Sequence, residues 1–128
     1  MYISIAAFVF AVAIGVVILF QLALAAGAPW GSYAMGGAFT ETLPPAMRVA
    51  ALVQAAILAI AAIVVLSKAG LLFPAWQSFA SAAAAWFVVP LSALATVLNV
   101  MTRSKRERTV WAPVSLLLLA TSLIVAFG

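Results

Sequence analysis

Three amide side chains interrupt otherwise apolar stretches of this sequence: Gln21, Gln54 and Asn99. An amide both donates and accepts hydrogen bonds, so within a membrane it either joins neighbouring helices or orients the polar end of a bound molecule. The acids are Glu41 and Glu107, and the chain has no His, Cys or Asp. This set of residues provides no thiolate, imidazole or multi-carboxylate metal site and no usual nucleophile and base pair. We therefore expect no metal and no cofactor, and an enzyme is only the third alternative, which would need Glu41 or Glu107 as its acid or base.

The amides belong to a chain whose composition is that of an integral membrane protein. Of its 128 residues, 69% are hydrophobic and 6% are charged, whereas charged residues make up roughly 25% of a soluble domain. The apolar runs are continuous rather than alternating, which excludes a barrel and predicts an all-α bundle of transmembrane helices. We expect one domain with four spans, at about residues 3–25, 45–67, 79–101 and 110–127.

The first apolar run has a signal peptide as its alternative interpretation, since residues 23–25 resemble a cleavage site. No basic residue precedes this run, and the run is longer than the apolar region of a typical signal peptide. We therefore expect a membrane span here rather than a cleaved signal.

The connection between the first two spans, residues 27–45, is the candidate functional element. It is rich in Gly, Pro and aromatic residues and is too long for a simple hairpin. At its end, Thr42 is predicted to cap the second helix. Glu41 is expected to place negative charge near that helix start, with proton acceptance as the alternative.

Counting along the spans places the three amides in the same half of the bundle, next to this connection. They are expected to line a pocket that the aromatic residues of the connection and Met35 cover. Such a pocket suits lipids, isoprenoids or quinone-like molecules. The alternative is that the amides only hydrogen-bond between helices and that the connection is an interfacial turn with a flexible spacer. The candidate pocket residues are Gln21, Trp30, Tyr33, Met35, Gln54 and Asn99.

Basic residues predict the orientation of the chain. The net charge of +4 does not indicate nucleic acid binding here, because four of the six basic residues lie in one short loop between apolar runs. With that loop in the cytoplasm, Arg48 is also inside and Lys68 is outside, so both termini face outward. The same basic cluster has anionic lipid headgroups as an alternative role. Its members are Arg103, Lys105, Arg106 and Arg108.

Several short segments resemble those of small four-span bacterial membrane proteins of unassigned function. They are residues 24–31, Gly36-Gly37, residues 43–45, and the stretch from Asn99 through residues 111–113. This resemblance covers most of the chain and implies no activity. The length and number of spans are also similar to those of small multidrug resistance transporters, but the carboxylate that those proteins carry in the first span is missing here.

Together these features predict a small polytopic protein of the bacterial inner membrane that performs no catalysis. We expect it to bind an apolar or lipid-like ligand, with membrane lipid as a partner, or to act as an accessory subunit of a larger membrane complex. The alternative is a small homodimeric transporter. That alternative rests on stripes of Ala and Gly, which allow close helix association, and on Pro90 as a hinge in the third span.

Overall fold

The computed structural model describes residues 2–128, and within this range it contains helices and no strand. The helices are α1 (Tyr2–Ala26), α2 (Pro45–Lys68), α3 (Gln77–Ala83), α4 (Val89–Met101) and α5 (Lys105–Phe127). A π-helical turn, Ala84–Val88, joins α3 to α4, so that Pro74–Met101 forms one continuous third span. Within the described residues, four segments are long and apolar enough to cross a membrane. The predicted all-α bundle of four helices is confirmed, and the chain is a multi-pass membrane protein.

The second helix starts at Pro45, as predicted, but its cap and the start of α5 differ from the sequence predictions. Thr42 does not cap α2, because its hydroxyl donates to the carbonyl oxygen of Gly27 at 3.1 Å. Pro44 occupies the cap position instead, and Pro45 has no amide hydrogen that a cap would need to satisfy. The helix α5 begins at Lys105 rather than near residue 110, because Ser104 caps it. The hydropathy of the sequence predicts the apolar part of this helix but not its first turn, because that turn is charged.

Two clusters of buried apolar side chains hold the bundle together. The larger one joins α1, α2, α5 and the third span, and includes Phe10, Val65, Val88 and Val125. The smaller one lies where the first connection, defined from here on as residues 27–44, meets α1 and α2. We call this end of the bundle the connection end. Because α1 packs along both α2 and α5, it forms the central support of the bundle.

The third span carries its irregularity just before Pro90. The amide of Val89 donates to the carbonyl oxygen of Ala84, five residues earlier rather than four. Proline lacks an amide hydrogen and crowds the preceding turn, and a π turn is one local adjustment that lets a membrane helix continue past it. Above this turn, α3 packs against α2, whereas below it α4 packs against α5. The helices α2 and α4 therefore separate toward the connection end.

Candidate ligand-binding site

The first connection folds over the connection end instead of extending away from it. It contains two 3-10 turns, Gly31–Tyr33 and Met35–Gly37, and it buries Leu43 among residues of α1 and α2. Its two halves are joined by a hydrogen bond from the Gly31 amide to the Glu41 carbonyl oxygen, 2.8 Å long. Gly36 has a positive φ of 67°, which favours glycine. The connection is therefore folded over the end of the bundle. We call residues 27–44 in this arrangement the roof.

Hydrogen bonds attach this roof to the first turns of α5. The indole Nε1 of Trp111 donates to the carbonyl oxygen of Tyr33 at 2.9 Å. The hydroxyl of Ser104 donates to the carbonyl oxygen of Ser32 while it also accepts from the amide of Glu107. The two bonds to carbonyl oxygens of the roof each join residues more than 70 positions apart in the chain. The position of the roof thus depends on the start of α5.

Beneath the roof lies a cavity of about 550 Å³, within the usual range of roughly 300 to 1,000 Å³ for ligand pockets. Its walls come from α1, α2, α4 and α5, and most lining side chains are apolar. Ile57 of α2 and Leu94 and Leu98 of α4 line the cavity and are also exposed on the outer surface of the bundle. The gap between α2 and α4 is therefore an opening toward the surrounding lipid.

The three amides face this cavity but differ in their bonding. The Oε1 atom of Gln21 is buried and has no hydrogen-bond partner among the described residues. Gln54 is exposed at the lipid-facing opening, at a helix position about 13 Å from the start of α2. Asn99 instead donates from Nδ2 to the carbonyl oxygen of Trp111 at 3.4 Å and so links α4 to α5. Asn99 thus performs the helix-joining role, whereas Gln21 presents a free acceptor.

Most of the residues predicted from the sequence lie together around the cavity, and one does not. Trp30 is outside the lining and 47% exposed, and its ring stacks parallel to that of Phe20 at a centroid distance of 6.4 Å. Phe20 does line the cavity and also packs against Trp111, with ring centroids 4.6 Å apart. Trp30 therefore packs against a lining residue but does not itself line the cavity. The predicted residues in the lining are Gln21, Tyr33, Met35, Gln54 and Asn99.

Glu107 is a cavity residue that the sequence analysis did not select. It is only 8% exposed, lines the cavity, and accepts through Oε2 from the amide of Gly36 at 3.3 Å. Ser104 and Glu107 form the S-x-x-E pattern of a capping box. This pattern in the sequence predicts a helix start at Ser104 with an ordered Glu107 side chain. In a full capping box, however, the glutamate bonds back to the cap residue. Here the amide of Ser104 is bound by Thr102, and the carboxylate reaches the roof.

The third loop is the short basic loop between the third and fourth spans, and its basic residues lie outside the cavity lining. Arg106 donates to the hydroxyl of Ser32 at 3.3 Å and lies 5.8 Å from the centroid of the Tyr33 ring. Arg108 donates to the carbonyl oxygen of Thr102 at 3.0 Å. Arg103 and Lys105 are exposed, as expected for a loop at the membrane surface.

Searches with protein-family models, among curated proteins and among solved structures found no match to this chain. The geometry of the cavity is therefore the basis for assigning a function.

Proposed function

We propose that this protein binds an amphipathic, lipid-like molecule in the cavity beneath the first connection and performs no catalysis. The main support is the combination of an apolar cavity with the buried, unpartnered Oε1 atom of Gln21. A buried acceptor without a partner costs about 1 to 3 kcal/mol, and a ligand hydroxyl or amine would recover that free energy. The polar end of the ligand would thus lie near Gln21.

The apolar part of the ligand would occupy the space between α2 and α4. Ile57, Leu94 and Leu98 form that part of the lining, and they are accessible from the lipid side. An apolar molecule already dissolved in the bilayer could enter through this gap without crossing water. Gln54 at the opening would hydrogen-bond a polar group as it passes.

The proposed setting is the bacterial inner membrane, with both termini outside and the roof on the cytoplasmic side. The support is the distribution of basic residues, because Arg48 and the third loop lie at the connection end and Lys68 lies at the opposite end. The homodimeric alternative gains little from the small-residue stripes. Ala7, Ala51 and Ala55 are buried within the chain itself and are not available for association with a second copy, although Gly15, in line with Ala7, has open space beside it.

Native mass spectrometry of the protein, purified in mild detergent, tests the proposal. We expect a reproducible additional mass of lipid size on the wild-type protein. Ala95→Phe places a phenyl ring in the cavity lining and should remove that mass. The matched control is Ala82→Phe, which adds the same ring on an exposed position of the third span and should retain the mass.

Gln21→Leu removes the unpartnered acceptor while keeping a side chain of similar volume. Its retained ligand should fall several-fold, whereas Gln77→Leu, at the far end of the bundle, should have no effect. A wild-type protein that carries no bound molecule, even after incubation with a total lipid extract, would contradict the proposal. Equal retention by the Ala95 and Ala82 variants would also contradict it, because the molecule would then lie elsewhere.

A further inference from the structure

We infer that the ligand of this cavity is an amphipathic cation, such as an amine or quaternary ammonium with an apolar body, and that Glu107 provides the charge that selects it. This inference rests on the function proposed above and specifies the chemical class of the ligand. It starts from the position of Glu107, which is the one ionisable acid or base among the lining residues other than the phenol of Tyr33.

The bonding of Glu107 leaves part of its carboxylate available. Gly36 donates to Oε2, and no ion pair with a basic residue satisfies the carboxylate within the described residues. A carboxylate accepts several hydrogen bonds, so one amide donor leaves capacity for a ligand group at the cavity side. A buried carboxylate that forms no ion pair is costly, and a cationic ligand would offset that cost.

The nearby basic residues do not fill this role. Arg106 donates to the hydroxyl of Ser32 and lies over the ring of Tyr33, and Arg108 donates to the carbonyl oxygen of Thr102. Neither guanidinium belongs to the cavity lining, and both side chains are exposed, where water screens their charge. Inside the cavity the charge of Glu107 therefore acts without a competing cation.

The other polar and aromatic groups of the lining also favour a cation. Gln21 presents an unpartnered oxygen, which accepts from an ammonium N–H or lies beside a positive charge. Phe20 and Trp111 also line the cavity, and aromatic rings attract cations, whereas the ring of Tyr33 already lies 5.8 Å from the guanidinium of Arg106. The one charged group that an anionic ligand would meet in the lining is the carboxylate of Glu107, which repels negative charge.

Two hydrophobic ions of nearly equal size test this inference: tetraphenylphosphonium, a cation, and tetraphenylborate, an anion. Binding of each to the wild-type protein in detergent is measured by equilibrium dialysis, with protein-free micelles as the background. We expect the protein to bind the cation at least about tenfold more tightly than the anion, as a close charge partner provides. Equal binding of the two ions, or tighter binding of the anion, would overturn the inference.

Two variants identify the source of the selectivity. Glu107→Gln removes the charge but keeps an oxygen that accepts from Gly36, and it should lose the preference for the cation. Glu41→Gln removes the same charge from an exposed acid outside the cavity lining, and it should keep that preference. Unchanged selectivity in Glu107→Gln would overturn the role of Glu107, and the wild-type comparison of the two ions remains decisive if this variant does not fold.

The outcome is distinguishable from failure of the proposed function. Suppose that the wild-type protein retains lipid, that Ala95→Phe loses it, and that neither ion is preferred. The cavity then binds a neutral molecule, and only the inference is wrong. If the wild-type protein retains no lipid and binds neither ion above the micelle background, both the proposed function and the inference are wrong.

Discussion

Gly31 is the residue at which a single methyl group should have the largest effect on the roof. A Cβ atom built on Gly31 would overlap the carbonyl oxygens of Phe39 and Glu41. Both obstacles are backbone atoms, so no side-chain rotation relieves the overlap. In Gly31→Ala the two halves of the first connection must therefore move apart, although the helices themselves are unchanged.

The hydrogen bonds of the roof set the size of this effect. Separation of the two halves breaks the bond from the Gly31 amide to Glu41, and displacement of the roof breaks its bonds to Ser104, Glu107 and Trp111. Each contributes about 0.5 to 1.5 kcal/mol net, and the entropy that a loosened loop regains offsets part of the loss. We expect Gly31→Ala to lower the free energy of unfolding by about 2 to 4 kcal/mol.

Titration of the detergent-solubilised protein with sodium dodecyl sulfate, followed by circular dichroism, measures this free energy. The matched control is Gly15→Ala, because a Cβ atom at Gly15 meets nothing within 4 Å and the residue lies inside α1. That variant should unfold like the wild type or be up to about 1 kcal/mol more stable, since alanine favours helix more than glycine does. If both variants unfold like the wild type, the roof is not packed as described, and the reasoning is refuted.

Three further changes test other parts of the structure. Trp111→Phe keeps one aromatic ring but removes the donor to the Tyr33 carbonyl oxygen together with part of the ring system, and should cost at least about 1 kcal/mol in the same unfolding titration. No loss would mean that this hydrogen bond does not stabilise the fold. Pro90→Ala restores an amide hydrogen, so α4 should realign toward α2 and narrow the cavity. The amount of ligand retained in native mass spectra should then fall several-fold. Unchanged retention would mean that the cavity does not depend on the π turn. In intact cells, a cysteine at Ser78 should react with an impermeant reagent and one at Thr40 should not, and the reverse pattern would invert the proposed orientation.

The fold class followed from the sequence because the physical constraint on it is simple. Long apolar runs in lipid must satisfy every backbone hydrogen bond within the segment, so their length and continuity already predict helices. Helix starts were less predictable, because they depend on polar residues outside the apolar run. Ser104 caps α5 before four consecutive charged residues, and these lower the mean hydropathy of the segment.

Depth in the membrane was also readable from the sequence, whereas the direction in which a side chain points was not. Counting residues from the connection placed Gln21, Gln54 and Asn99 at one end of the bundle, and all three line the cavity. The spans are apolar around their whole circumference, so they lack the polar stripe that would identify their inner face. Sequence reasoning therefore could not show that Asn99 bonds to a carbonyl oxygen while the Oε1 atom of Gln21 has no partner.

Glu107 was missed for a different reason, which also links the roof to ligand binding. Its bond to Gly36 joins residues 71 positions apart, and local sequence patterns carry no information on such a pair. The same carboxylate accepts a hydrogen bond from the roof and lines the cavity. The position of the roof therefore affects the position of the negative charge in the cavity. A change that loosens the roof, such as Gly31→Ala, should therefore also weaken binding of a cation. Unchanged binding in this variant would show that neither the roof bond to Glu107 nor the lining residues of the first connection contribute to it.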